Sequence, residues 1–147
     1  MQIKRVYNLT DAESILNNPT IKREISGDYV DSEPVTLVDK RSHIYLVGYV
    51  DSIPIGLTIV HPNKQGKQYC HIQVIPEYRS KYSHQFSESI LNWIWSHTVI
   101  SQMFVYIPYT SLNVINFAKL SGFTQIVSDV HMSAHLVINK GDLACPG

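Results

Sequence analysis

The sequence has no excess of charge, no long apolar run, no cysteine framework and no internal repeat, and each absence excludes something. Twelve basic and twelve acidic side chains cancel over 147 residues. With no basic block either, neither nucleic acid nor an anionic membrane is expected as a partner. No apolar stretch approaches the roughly 18–20 residues that cross a bilayer. The opening Met1-Gln2-Ile3-Lys4-Arg5-Val6 lacks the apolar centre of a signal peptide, so a cytoplasmic location is expected. Cysteine is limited to Cys70 and Cys145, too few for a disulfide scaffold and without metal-ligand spacing. His131 and His135 would share a strand face, but four residues of strand span about 13 Å, too far for one ion. No carboxylate pair or Cys-x-x-Cys compensates, so no metal is expected. A Gly-x-Ser-x-Gly nucleophile elbow is missing as well.

What is present suits one domain over residues 1–147 with a substantial core, hydrophobic residues making up 44% of the chain. Glycine and proline fall mostly between periodic segments and punctuate them. Residues 2–8 read as a strand. Thr10-Asp11-Ala12-Glu13 reads as a capping box, with Thr10 as N-cap of a helix that ends before Pro19. Pro19 opens a second short helix in which Ile21 and Ile25 lie one turn apart. Pro34–Asp39, His43–Asp51 and Ile53–Pro62 carry the β-branched and aromatic residues of strands. Asp51-Ser52 marks a tight turn, and a second turn at 62–66 leads into a strand over Gln68–Pro76. Phe86, Ile90, Trp93, Ile94 and His97 then mark one face of a helix, with Trp93 and Trp95 read as packing residues. Met103–Tyr109 returns to strand character. A helix capped by Thr110 or Ser111 and closed by Gly122 follows, then one or two strands over Thr124–Asn139. The order is β-α-α-β-β-β-α-β-α-β, an α/β chain with helices covering a mixed sheet.

That order and two local patterns resemble the GNAT N-acetyltransferase superfamily. Ile72-Gln73-Val74-Ile75-Pro76-Glu77-Tyr78-Arg79 is similar to the family's fourth strand entering its pyrophosphate loop. Asn116-Phe117-Ala118-Lys119-Leu120-Ser121-Gly122-Phe123 is similar to its penultimate helix and Gly-Phe exit. The opening helix pair, with Asn18-Pro19 and Ile25-Ser26-Gly27-Asp28, resembles small GNAT-like proteins of tailed phages, for which the setting would be the host cytoplasm. The resemblance implies a mixed, mostly antiparallel central sheet flanked by helices. It also implies acetyl-CoA as acyl donor and a small-molecule or protein amine as acceptor.

A pyrophosphate is held by convergent backbone N–H groups at a helix N-terminus, and glycines let the backbone come close. The family places Arg-Gly-x-Gly-x-Gly there. This chain has Arg79, Ser80, Lys81, Tyr82, Ser83 and His84, and all three glycines are gone. Arg79, Lys81, the two serine hydroxyls and a protonated His84 remain suited to phosphate, whereas Tyr82 and His84 add bulk. The resemblance gives Ile72 and Val74 backbone contacts to the pantetheine arm. Amine acylation needs a base for the acceptor and an acid for the departing thiolate. The position of the family's tyrosine holds Ala118. Tyr109 and Tyr106 are the substitutes, core packing being the simpler reading of Tyr106. On the fourth strand His71, Gln73 and Ile75 alternate to one face, and Cys70, Ile72 and Val74 to the other. His71 is therefore the first candidate base and Glu77, at the strand exit, the second. Two readings stay open: an acetyl-CoA-dependent transferase, or a GNAT-fold binding or assembly protein that has lost catalysis. An edge strand after Phe123 would suit a homodimer.

Overall fold

The structure, a computed structural model, describes residues 1–26, 33–127 and 132–142. The features expected at Gly27-Asp28, His131 and Cys145, and the tail from residue 143, lie outside that range. The elements run β1 (Gln2–Arg5), α1 (Thr10–Leu16), α2 (Pro19–Ser26), β2 (Ile44–Val50), β3 (Ile53–Pro62), β4 (Gln68–Val74), α3 (Arg79–His97), β5 (Gln102–Pro108), α4 (Leu112–Leu120), β6 (Thr124–Ile126) and β7 (Ser133–Asn139). A 3-10 turn over Pro76–Tyr78 precedes α3. The strands order as β1-β2-β3-β4-β5-β7-β6. The sheet is mostly antiparallel, with β4 and β5 parallel and Tyr69 opposite Phe104. This is the mixed, helix-flanked α/β architecture that the sequence predicts. The chain divides into two compact units, the first Met1–His61 with His71–Ile90, the second Pro62–Cys70 with Leu91 onward.

In the first unit β1, β2 and β3 form an antiparallel meander. Asp51 and Ser52 both take positive φ, 50° and 65°, the two-residue turn whose twist matches that of the strands it joins. One face of the meander carries Val47 and Leu57, buried with Ala12, Ile15 and Leu16 of α1 and Ile21 of α2. On the other face Gly48 and Gly56 leave room for the Phe86 ring of α3, which is fully buried.

The predicted capping box does not form. Leu9 is the N-cap, and Asn8 Oδ1 accepts from the Thr10 N–H at 3.1 Å and its hydroxyl at 2.7 Å. Glu13 is thereby released to accept the Leu37 N–H at 3.1 Å. Residues 34–39 form no strand and join no sheet. Asn17 takes the place of a neighbouring strand, donating to the Val35 carbonyl at 2.9 Å and accepting the Val35 N–H at 2.6 Å. A β-branched run specifies an extended backbone and leaves its hydrogen-bonding partner undecided. The first strand ends at Arg5, earlier than predicted, and Ile25 is exposed while Ile21 is buried.

In the second unit β5 pairs with β7 and β7 with β6, an edge strand as expected. Met103 and Ile107 are buried, as are Ala134, Leu136 and Ile138 of β7, and α4 packs against β5. Gly122, with φ 112°, closes α4. Its N–H reaches the Lys119 carbonyl and that of Phe123 the Ala118 carbonyl, the bond pair of a left-handed helix stop. Ser111 is the N-cap of α4 through its backbone, without a side-chain bond.

Candidate active site

The segment expected to hold a pyrophosphate is helical throughout. Pro76 opens the 3-10 turn, whose Tyr78 and Arg79 N–H groups donate to the carbonyls of Ile75 and Pro76. Residues 79–84 continue directly into α3. Without glycine nothing favours a looped excursion here, and Ser80, Lys81, Tyr82, Ser83 and His84 all accept helical angles at little cost. Ser80, Lys81 and His84 are exposed, while Tyr82 and Ser83 are half-buried. Tyr82 packs beside Tyr78, with ring centroids 6.0 Å apart.

Arg79 is held from two directions. Its Nε donates to the Val74 carbonyl at 2.8 Å, and its two terminal nitrogens meet the Glu24 carboxylate at 2.9 and 3.2 Å. The Val74 carbonyl, one of the groups assigned to the pantetheine arm, thus already accepts one bond. Ile72 is half-buried and Val74 buried. Cys70, on the same face, is a buried free thiol whose pKa burial pushes up to about 12. It is un-ionised at neutral pH and no nucleophile.

His71 projects from the other face of β4, as alternation predicts, and is solvent-accessible. Its Nε2 lies 2.9 Å from His61 Nε2. The two rings stack with centroids 5.1 Å apart, and His43 stacks on His61 at the same spacing. Burial lowers the pKa of His71, and charge on His61 and then His43 would lower it further. His43 is lowered by burial, by His61 and by Lys40. Burial thus biases His43 and His71 toward their neutral forms, and in the His61–His71 contact one imidazole donates while the other accepts. With His71 as donor through Nε2–H, its Nδ1 carries a lone pair and the ring can act as a base. Glu77 lies exposed in the 3-10 turn. The groups acting on His71 are His61 and His43.

Sequence reasoning singled out His71 and passed over His43 and His61. The signal was available: one histidine stands at or beside each of three consecutive strands. Ile44 pairs with Val60, so one further step sets His43 opposite His61.

The second unit holds Tyr109, just past β5. Its hydroxyl is exposed and 3.5 Å from Gln125 Nε2, and its N–H donates to Met132. Ala118 is buried. Tyr106 is 41% exposed, which corrects its reading as a core residue. It stacks on His135 at 4.2 Å and accepts from the Tyr69 hydroxyl at 3.3 Å. Tyr69 also meets His135 Nε2 at 3.2 Å, and burial followed by the Tyr106 bond raises its pKa to about 12. Trp93 and Trp95 are half-buried, and Trp93 stacks on His97 at 4.5 Å. Among the described residues no group of three or more His, Cys, Asp or Glu is arranged to hold a metal ion. Among them, too, no helix is long and apolar enough to cross a membrane.

No protein-family model and no curated protein sequence matches the chain. Solved structures do. The GNAT domain of PAT from S. lividans superposes with a TM-score of 0.70 at 12% identity, covering 93% of this chain and 89% of that one. A spermidine N-acetyltransferase SpeG mutant from Vibrio cholerae gives 0.69 at 12% identity, with 95% of each chain covered. The N-acetyltransferase PseH from Campylobacter jejuni, solved in complex with acetyl coenzyme A, gives 0.64 at 11% identity, over 95% of this chain and all of that one. At these identities the likeness is one of fold: the chain is built as a GNAT N-acetyltransferase is built.

Proposed function

We propose that the protein is a GNAT-type acyltransferase that moves an acetyl group from acetyl-CoA to an amine. The observation that carries this reading is His71, accessible on β4, kept neutral, and bonded through Nε2 to a second imidazole. Exposed Lys81 and Ser80 on the first turn of α3 suit the coenzyme's phosphates by charge and by the helix dipole. The backbone fits less well, since the Tyr78 and Arg79 N–H groups are already used. Ile72 and Val74, with Arg79, Tyr82, Ser83 and His84, complete the proposed donor site.

Acetyl-CoA, when bound, supplies an acyl group activated as a thioester. The chain's own work is proton handling. An acceptor enters as an ammonium ion and must lose a proton before its nitrogen can form the new C–N bond. His71 takes that proton at Nδ1, because Nε2 is engaged with His61. The charge is then shared by passing the Nε2 proton to His61, which lowers the cost of making an imidazolium in a partly desolvated place. Glu77 is the alternative base. Calorimetry with acetyl-CoA, followed by thiol release on a panel of amines, tests this reading. His71→Gln is expected to lower turnover at least about a hundredfold with little effect on acetyl-CoA affinity. Unchanged turnover would remove His71 from the chemistry.

One observation favours the second reading, a GNAT-fold binding or assembly protein of the phage type without acetyltransferase activity. Arg79, the residue expected to meet the pyrophosphate, is satisfied within the protein by Glu24 and Val74. Absence of both heat and thermal stabilisation at millimolar acetyl-CoA would decide for it.

A further inference from the structure

A cavity of about 380 Å³ opens in the first unit, with the His43, His61 and His71 ladder along one side. Leu37 and Val38 of the 34–39 segment line it, with Ile59 of β3. Among the described lining residues Lys40 is the charged side chain, and Thr36 and Tyr45 add hydroxyls. No described lining residue is a carboxylate. Since His71 is the base assigned above, the following rests on the acyltransferase reading.

We propose that this cavity is the acceptor site and that the acceptor is an amine bearing a carboxylate on an apolar body, not a polyamine. A polyamine carries several positive charges, each of which must be neutralised or left in water, and the described lining offers the Lys40 cation and no carboxylate. Bringing like charges together without screening is unfavourable. A carboxylate has the opposite fit: Lys40 supplies charge and the imidazole N–H groups supply directed donors. Leu37, Val38 and Ile59 give the body of the ligand an apolar wall.

The titration behaviour agrees. Lys40 and His61 act to lower His43, and His61 and His43 act to lower His71, so further positive charge beside these two rings is disfavoured. Asp39 is the acidic group next to this wall. It is exposed, outside the lining, and acts on Tyr45, whose phenol pKa burial raises first and Asp39 second. The spermidine enzyme that shares this fold would then differ from this protein in acceptor charge.

The test uses the whole chain and histidine-ring NMR, with 4-phenylbutyrate, its uncharged counterpart 4-phenylbutanol, and spermidine as probes. The carboxylate is expected to shift the rings of His43, His61 and His71 saturably, with the alcohol and spermidine at least about fivefold weaker. Lys40→Met, an exposed position, should weaken the carboxylate by a similar factor. Equal binding of the alcohol, tighter binding of spermidine, no shift at all, or an unchanged Lys40→Met variant would each overturn the proposal. Acetyl-CoA calorimetry on the same sample separates the two ideas. Coenzyme binding without carboxylate binding sinks the acceptor class alone, and the reverse sinks the transferase reading while leaving an anion pocket.

Discussion

Arg79 faces two competing claims, and which one prevails decides what α3 does. Its guanidinium lies against Glu24 with both terminal nitrogens, an exposed ion pair of a kind that contributes about 0–1 kcal/mol. A pyrophosphate would have to draw Arg79 away from that carboxylate. Glu24→Gln is therefore expected to tighten acetyl-CoA by up to about fivefold, and Arg79→Ala to loosen it by about tenfold. Calorimetry on the two variants checks the opposed signs. The same affinity in both would mean that Arg79 is a brace between α2 and the end of β4. The sequence points to Arg79 because Pro-Glu-Tyr-Arg is a local pattern. It gives no hint of Glu24, which is 55 positions away, since a pairing over that distance is created only by folding. His71 was legible, like Arg79, from a local pattern, here strand alternation, whereas finding His61 beside it needs the pairing of separate strands, which no single strand announces.

At the scale of elements, local chemistry settles what forms and tertiary contacts settle how it is used. The Asp51-Ser52 turn, the glycine stop at 122 and the helical face at Phe86, Ile90 and Ile94 follow from period and turn residues. The strand predicted over 34–39 fails because Asn17, the C-cap of α1, takes both backbone bonds of Val35 that a neighbouring strand would have made. Thr10 does not cap α1 because its own N–H and hydroxyl are both bonded to Asn8 Oδ1, and Leu9 is the N-cap. Gly48 and Gly56 show a constraint that periodicity cannot register. A Cβ on Gly48 would sit 2.6 Å from the Phe86 ring and one on Gly56 2.9 Å from it, so α3 lies on the meander only because both positions are bare. Gly56→Ala is expected to destabilise the protein by about 1–3 kcal/mol in urea titration. Adding Phe86→Leu should cost less in the Gly56→Ala background than in the wild type, because the smaller side chain relieves the contact. Strictly additive losses would show that the ring is not what the new methyl group meets.

Across the whole molecule, the element order was legible while the site was only partly so, and the division has a physical basis. Helix and strand periods repeat along the chain and survive a loss of sequence likeness that leaves 12% identity to other chains of the same fold. A site depends on a few side chains from separate strands, such as His43, His61 and His71, which no period links. Two of them, His43 and His71, together with His135, also tie stability to pH. His43 and His71 in the first unit and His135 in the second all have pKa values below the ordinary 6.5, with burial the leading cause in each. The unfolded chain then binds protons at a higher pH than the native protein does, so stability rises with pH across that interval. Above 6.5 the contribution is complete, and as the pH falls through the native values it is lost. Urea midpoints measured from about pH 8 down to about pH 5 should hold level and then drop. In His43→Phe the drop should shrink, because one titrating group is gone and His71 loses a neighbour that disfavours its charged form. The comparison is between slopes, so a change in stability at neutral pH does not obscure it. A slope as steep as that of the parent protein would place the acid sensitivity in the carboxylates instead.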